Sequence, residues 1–247
     1  MRCSHCNEKT ASHDLWCVKC GKYTEVISQD LSAKKSLNSS WNKYKTFRGS
    51  NLPAGILAAL TGMIPLCILI WLQNYTLLAL PTWQMVVLSN IVWLFFIPVM
   101  LVPFSAVCRK DDYEIGVRDF FASFKSYFKY FMLSLVSVLF YLIIFYLCKG
   151  DPILNIVWLV LVVYWIAIVL PLPILMERYE INALKALKIA YKQAGDVRWN
   201  IFLMAIILVI ANILATLLFV IGLAITLPFT WFAIRDYVDK LIEYEVF

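Results

Sequence analysis

The sequence predicts an all-α polytopic membrane protein of about six transmembrane helices with amphipathic helices on the inner surface, plus a small zinc ribbon at the N-terminus. Three observations predict it: an apolar excess that one soluble core cannot hide, apolar stretches separated by loops of unequal basic charge, and two CxxC pairs within the first twenty-one residues. Of 247 residues, 62% are hydrophobic and only 15% charged, with a mean hydropathy of +0.76. Soluble domains run near half apolar and about one-quarter charged, so here lipid must act as part of the solvent. Met1 to Gly21 carry charges and cysteines instead of an apolar run, which predicts no secretory signal of the usual kind. The net charge of +6 suggests nucleic acid at first sight. Its basic residues border apolar spans, however, so headgroup contact explains them better and no nucleic-acid partner is expected.

Residues 1–24 read as the ribbon. Cys3-Ser-His-Cys6 and Cys17-Val-Lys-Cys20-Gly21 are paired CxxC knuckles. Two thiolates at this spacing curl around one ion, and two such pairs complete a closed tetrahedral shell, the arrangement of a structural zinc. Cys3, Cys6, Cys17 and Cys20 are therefore the candidate metal ligands, and zinc is the expected cofactor. His5 and His13 stand nearby, but the four cysteines already fill the shell. So short a segment has no apolar core, and metal binding should supply its folding free energy. A closed site argues against iron redox chemistry, and a reducing compartment argues against disulfides. Cys67, Cys108 and Cys148 lie singly in or beside apolar stretches and read as small buried hydrophobes.

Residues 25–51 read as an amphipathic linker. Leu37, Trp41, Tyr44 and Phe47 recur at helical spacing among Lys34, Lys35, Lys43, Lys45 and Arg48, which suits either a helix lying in the headgroup region or a solvated connection. Residues 52–247 form the expected six-helix transmembrane domain. Its spans fall at about Leu52–Leu72, Gln84–Cys108, Tyr127–Cys148, Ile153–Met176, Asn200–Ile221 and Gly222–Ile234. Most reach the roughly 20 residues a bilayer requires, and the last is short. Lys and Arg cluster before the first span, between the second and third, between the fourth and fifth, and after the sixth. The alternate loops carry Lys149 as their only basic residue. The positive-inside rule then places both termini in the cytoplasm, where zinc thiolates survive.

The inner ends of the even-numbered spans resemble one another. They read Pro103 to Arg109 then Tyr113-Glu-Ile115, Pro171 to Arg178 then Tyr179-Glu-Ile181, and Pro228 to Arg235 then Tyr237. The first two continue into amphipathic stretches, one lined by Phe120, Phe121, Phe124, Tyr127 and Phe128, the other by Leu184, Leu187, Ala190, Tyr191 and Ala194. In the first span, Gly55-x-x-x-Ala59 and Ala58-x-x-x-Gly62 suit close helix packing. The expected spans hold no Asp, Glu, His or Arg at membrane depth, which speaks against proton relays and ion-coupled carriers. Asn90, Asn155, Asn212, Thr61 and Thr216 read as interhelical hydrogen-bonding groups. No Ser/His, paired-carboxylate, metalloprotease or phosphate-loop constellation reaches the membrane region, so no enzyme is expected. Asp111, Asp112 and Glu114, beside Arg109 and Lys110, read as a solvated loop and not a cation site.

From Val169 through Tyr179-Glu-Ile-Asn-Ala-Leu-Lys-Ala-Leu187 to Gly222-Leu-Ala-Ile-Thr-Leu-Pro228 and Tyr237, the chain resembles the YciC-like superfamily, which includes the membrane domain fused to some glycerophosphodiester phosphodiesterases. That resemblance implies a six-helix prokaryotic membrane domain and carries over no catalytic residue. The CxxC pairs resemble the zinc ribbons of the paraquat-inducible protein A (LetA) group, which would imply a link to lipid transport between membranes. The expected function is a non-enzymatic binding, accessory or assembly module of a membrane complex. Its expected partners are the bilayer and a protein partner or second copy at the cytoplasmic face. A transporter or lipid-handling role is the alternative, and it requires a cavity between the proline-bearing helices.

Overall fold

A computed structural model describes Cys6 and residues 32–75, 82–148, 152–193, 197–244 and 246. Among them are nine α-helices and no strand: α1 (Ala33–Tyr75), α2 (Thr82–Arg109), α3 (Val117–Ala122), α4 (Tyr127–Cys148), α5 (Pro152–Val169), α6 (Leu172–Arg178), α7 (Ala183–Gln193), α8 (Arg198–Thr216) and α9 (Phe219–Glu243), with a 3-10 turn at Ser123–Ser126. Five stretches are long and apolar enough to cross a bilayer, in α1, α2, α3–α4, α5–α6 and α8. The chain is thus an all-α, multi-pass membrane protein. The sixth expected span falls within α9, whose apolar part ends at Arg235.

From Ala33 onward the linker and the first span are one helix. The expected boundary at residue 51 lies inside α1, which runs unbroken from Ala33 through Pro53 and Pro65. The reason is packing. Ser36, Ser40, Tyr44 and Asn51 form one buried stripe, while Lys34, Lys35, Lys43 and Lys45 stay exposed. α9 covers the aromatic face, where Tyr44 packs tilted on Phe232 and Trp41 stands edge-on to Phe229. The Tyr44 hydroxyl also donates to the Ile225 carbonyl at 3.0 Å.

Proline acts unequally along the chain. Pro98 and Pro103 lie within α2 and Pro228 within α9, but the fourth expected span breaks into α5 and α6 at Leu170–Pro171. Pro171 and Pro173 lie two residues apart, so two ladder donors vanish from a single turn. The last hairpin turns at Leu217–Leu218, ahead of the expected turn at Gly222. Gly222 sits instead in the first turn of α9, where a Cβ would strike the Ala215 carbonyl of α8. Gly55 has the same function between α1 and α9, since a Cβ there would strike Ala224. The small-residue pattern therefore serves internal packing.

Two amphipathic faces differ from expectation. On α7 the buried side is Ala183, Ala186 and Ala190, while Leu184 and Tyr191 point outward. Near α3, Phe120 turns inward, whereas Phe121, Phe124 and Phe128 line the exposed side. The two helices begin differently. At α7 the Asn182 side chain accepts the Lys185 amide at 3.0 Å, whereas at α3 the Asp119 side chain reaches back to accept the Gly116 amide at 2.9 Å. Of the single cysteines, Cys108 and Cys148 are buried and Cys67 is exposed.

The core is concentrated toward one end. The largest fully buried side chains, among them Tyr44, Ile115, Phe120, Tyr130, Phe232 and Tyr237, surround the ends of α2, α6 and α9 that carry Arg109, Arg178 and Arg235. At the opposite end Trp71, Leu147, Ile153, Leu217 and Ile221 are exposed, as apolar side chains are where lipid replaces water.

Gly55→Val should lower the thermal unfolding midpoint of the purified protein, because the α1–α9 contact must open by more than a methyl radius. A cost of about 1–3 kcal/mol is expected for such overpacking, and an unchanged midpoint would show that the two helices separate freely.

Candidate functional site

The strongest sequence-derived candidate, the ribbon of Cys3, Cys6, Cys17 and Cys20, lies outside the described residues except for Cys6, a half-buried turn residue. Asp111, Asp112 and Glu114 do not converge, and among the described residues no group of three His, Cys, Asp or Glu is placed to hold a metal ion.

The described residues bring together the three arginines of the repeated pattern. They meet at the end of α2, where the last carbonyls of a helix lack intrahelical donors. Arg235 is only 5% exposed, and its Nη1 donates to the carbonyls of Lys110 at 2.9 Å and Val107 at 3.2 Å. Arg178 Nη1 donates to the Cys108 carbonyl at 2.9 Å, and its other nitrogens grip Asp239 at 2.6 and 2.8 Å. Arg109 stays on its own strut, donating to the Ser105 carbonyl at 2.9 Å and to the Ser123 hydroxyl at 3.0 Å. Two hairpins thus cap the helix of a third, with cations at the negative end of its dipole.

Asp236 neutralises the buried guanidinium. Its Oδ1 accepts from Arg235 at 3.0 and 3.2 Å, and its Oδ2 accepts from the Ser40 hydroxyl at 2.9 Å and from the Tyr113 hydroxyl. Arg235 also lies over the Tyr113 and Phe232 rings, 4.8 and 5.0 Å from their centroids. Asn51 fixes the loop that presents Tyr113. Its amide donates to the Tyr113 carbonyl and accepts the Ile115 amide, both at 2.6 Å. Burial, reinforced by the neighbouring Asp236 carboxylate, pushes the Tyr113 phenol well above its ordinary value, so it stays a neutral donor. Every charge at this node is answered by the protein itself. Chemically it is a clamp.

A second polar group joins α4 to α6. Lys129 donates to the Met176 carbonyl at 2.6 Å and pairs with Glu177 at 3.3 Å, while the Tyr130 hydroxyl donates to Glu177 at 2.8 Å. Of the polar groups expected between helices, Asn212 does reach across, donating to the Thr230 hydroxyl at 2.9 Å. Thr61 and Thr216 bond instead to carbonyls of their own helices.

Between the proline-bearing helices lies a cavity of about 330 Å³, bounded by α2, α4, the α5–α6 break and α9. Met100, Phe104, Tyr141, Trp165, Pro173 and Thr230 contribute to its wall. Trp165 stacks on Phe140 at 4.0 Å, and its buried indole nitrogen has no hydrogen-bond partner among the described residues. A volume of this size suits the apolar part of a small ligand.

Sequence reasoning singled out Arg109, Arg178, Arg235 and Tyr113. It missed Ser40 and Asn51, although Ser36, Ser40 and Tyr44 recur every four residues and thus trace one polar helix face. No protein-family model, curated protein or solved structure matches this chain.

Arg235→Ala should destabilise the protein by about 3–5 kcal/mol, because it strands Asp236 and the α2 carbonyls in a buried setting. Arg178→Ala, whose ion pair is about one-third exposed, should cost clearly less. Equal losses in thermal unfolding midpoint for the two variants would contradict this ranking.

Proposed function

We propose that the chain is a non-enzymatic, multi-pass protein of a prokaryotic cytoplasmic membrane, both termini inside, that accommodates the apolar tail of a membrane amphiphile between its hairpins. The observation that carries this reading is the cavity between the proline-bearing helices, with its apolar wall. The orientation rests on the concentration of Lys and Arg at one end of the spans. The resemblance of the CxxC pairs to the LetA group's ribbons agrees with a lipid-handling role. Protein purified in mild detergent should retain lipid that extraction and mass spectrometry detect. Ser137→Leu, which adds apolar volume at the cavity wall, should reduce that retention while preserving the fold. Protein free of lipid, or undiminished retention in Ser137→Leu, would count against the cavity as the binding place.

A second reading, an assembly module at the cytoplasmic face, is favoured by the exposed aromatic stripe of Phe121, Phe124 and Phe128, beside which a rigid clamp would hold a partner steady. A stoichiometric partner in a native-membrane pull-down would support it.

The ribbon enters both readings as a structural zinc site of Cys3, Cys6, Cys17 and Cys20. Metal analysis should return about one zinc per chain, and Cys17→Ser should release it. Four freely titrating thiols in the purified protein, with no zinc, would remove this site.

A further inference from the structure

The walls of the cavity between the proline-bearing helices differ in how their polar groups are occupied. On the α9 side, Thr230 donates to the Thr226 carbonyl at 2.7 Å and accepts from Asn212 at 2.9 Å. On the α4 side, Ser137 and Tyr141 line the cavity, and among the described residues neither hydroxyl has a hydrogen-bond partner. Ser137 is only 7% exposed. A buried hydroxyl is ordinarily paired, and a helical serine has the carbonyl four residues back within reach. Ser134, almost one turn earlier, is paired, donating to the Leu94 carbonyl at 2.9 Å. Ser137 and Tyr141 lie four residues apart on α4, so their side chains are neighbours on one helix face.

Charge and depth narrow what can answer these two donors. No Asp, Glu, Lys, Arg or His stands among the described lining residues, and the buried Phe104 and Ile234 border the end next to the clamp. Ser137 lies eight residues beyond Lys129, about 12 Å farther along α4 at the helical rise, inside a hydrocarbon core about 30 Å thick. An ionised group at that depth without a counter-charge is costly. A carbonyl oxygen is uncharged, accepts without donating, and has two lone pairs, enough for both hydroxyls.

We propose that the cavity selects an uncharged, carbonyl-bearing lipid, whose oxygen accepts from Ser137 and Tyr141 while its chain fills the apolar remainder. The proposal rests on the reading of the cavity as an amphiphile site and adds the chemical class of the amphiphile. An isoprenoid quinone and a diacylglycerol both present such a carbonyl beside a long apolar chain. A phospholipid brings a charged headgroup that this wall does not match.

Infrared difference spectroscopy of the full chain in mild detergent, with a short-chain menaquinone, dioctanoylglycerol or hexadecane as probe, tests this. The carbonyl stretch of a bound probe should lie below its frequency in detergent alone, and which of the first two probes shows the shift identifies the source. Ser137→Ala and Tyr141→Phe should each return part of that shift and weaken binding of that probe about fivefold. Hexadecane, which needs no donor, should bind both variants as it binds the native chain. An unshifted carbonyl, unchanged affinity in both variants, or displacement of the probe by equimolar phosphatidylglycerol would overturn the proposal. Hexadecane bound with neither carbonyl probe would overturn it and leave the cavity as an amphiphile site, whereas no probe bound at all would overturn both.

Discussion

The carbonyls at the end of α2 set the demand that much of the structure answers. A helix ending among apolar neighbours cannot leave its last carbonyls unpaired, and here the donors come from α6 and α9 instead of water. Bringing Arg235 into that position buries a cation, and the cation in turn requires Asp236. Asp236 has lone pairs left over, and Ser40 of α1 and Tyr113 of the α2–α3 loop satisfy them. Each partner recruited is thus the consequence of the previous one. The sequence distances involved are long: 128 residues between Val107 and Arg235, and 196 between Ser40 and Asp236.

This chain of requirements explains why α1 continues as helix beyond its apolar part. Its Ser40 and Tyr44 are held by α9, and Asn51 is held by the loop that carries Tyr113. A stretch with the composition of a linker is therefore a wall of the bundle. Close approach at Gly55 is what allows the wall to stand against α9.

The two ends of the molecule are built from different physics. Near the clamp, hydrogen bonds and buried aromatics specify one arrangement. At the far end the apolar side chains face outward, and lipid completes their packing. The cavity lies where these regimes meet, with an apolar wall that also holds Ser137 and Thr230. An amphiphile needs both, and this is what links the architecture to lipid in the proposed function.

Composition and hydrophobic spacing by themselves determined that the chain is helical and multi-pass, because bilayer length and backbone satisfaction permit few other solutions for such apolar runs. The recurrence of proline, arginine and tyrosine also marked four residues of the clamp, Arg109, Arg178, Arg235 and Tyr113. Only the tertiary structure decided which face of each helix is inside. Leu184 and Tyr191 lie outward and three alanines inward on α7, and Phe120 parts from its neighbours on α3. Ser40 and Asn51 carry no signal of their own until α9 and the Tyr113 loop are placed beside them. The physical reason is the same each time. Hydropathy reports what a residue prefers in water or oil, while a buried polar side chain is settled by the partner that folding delivers from far along the chain.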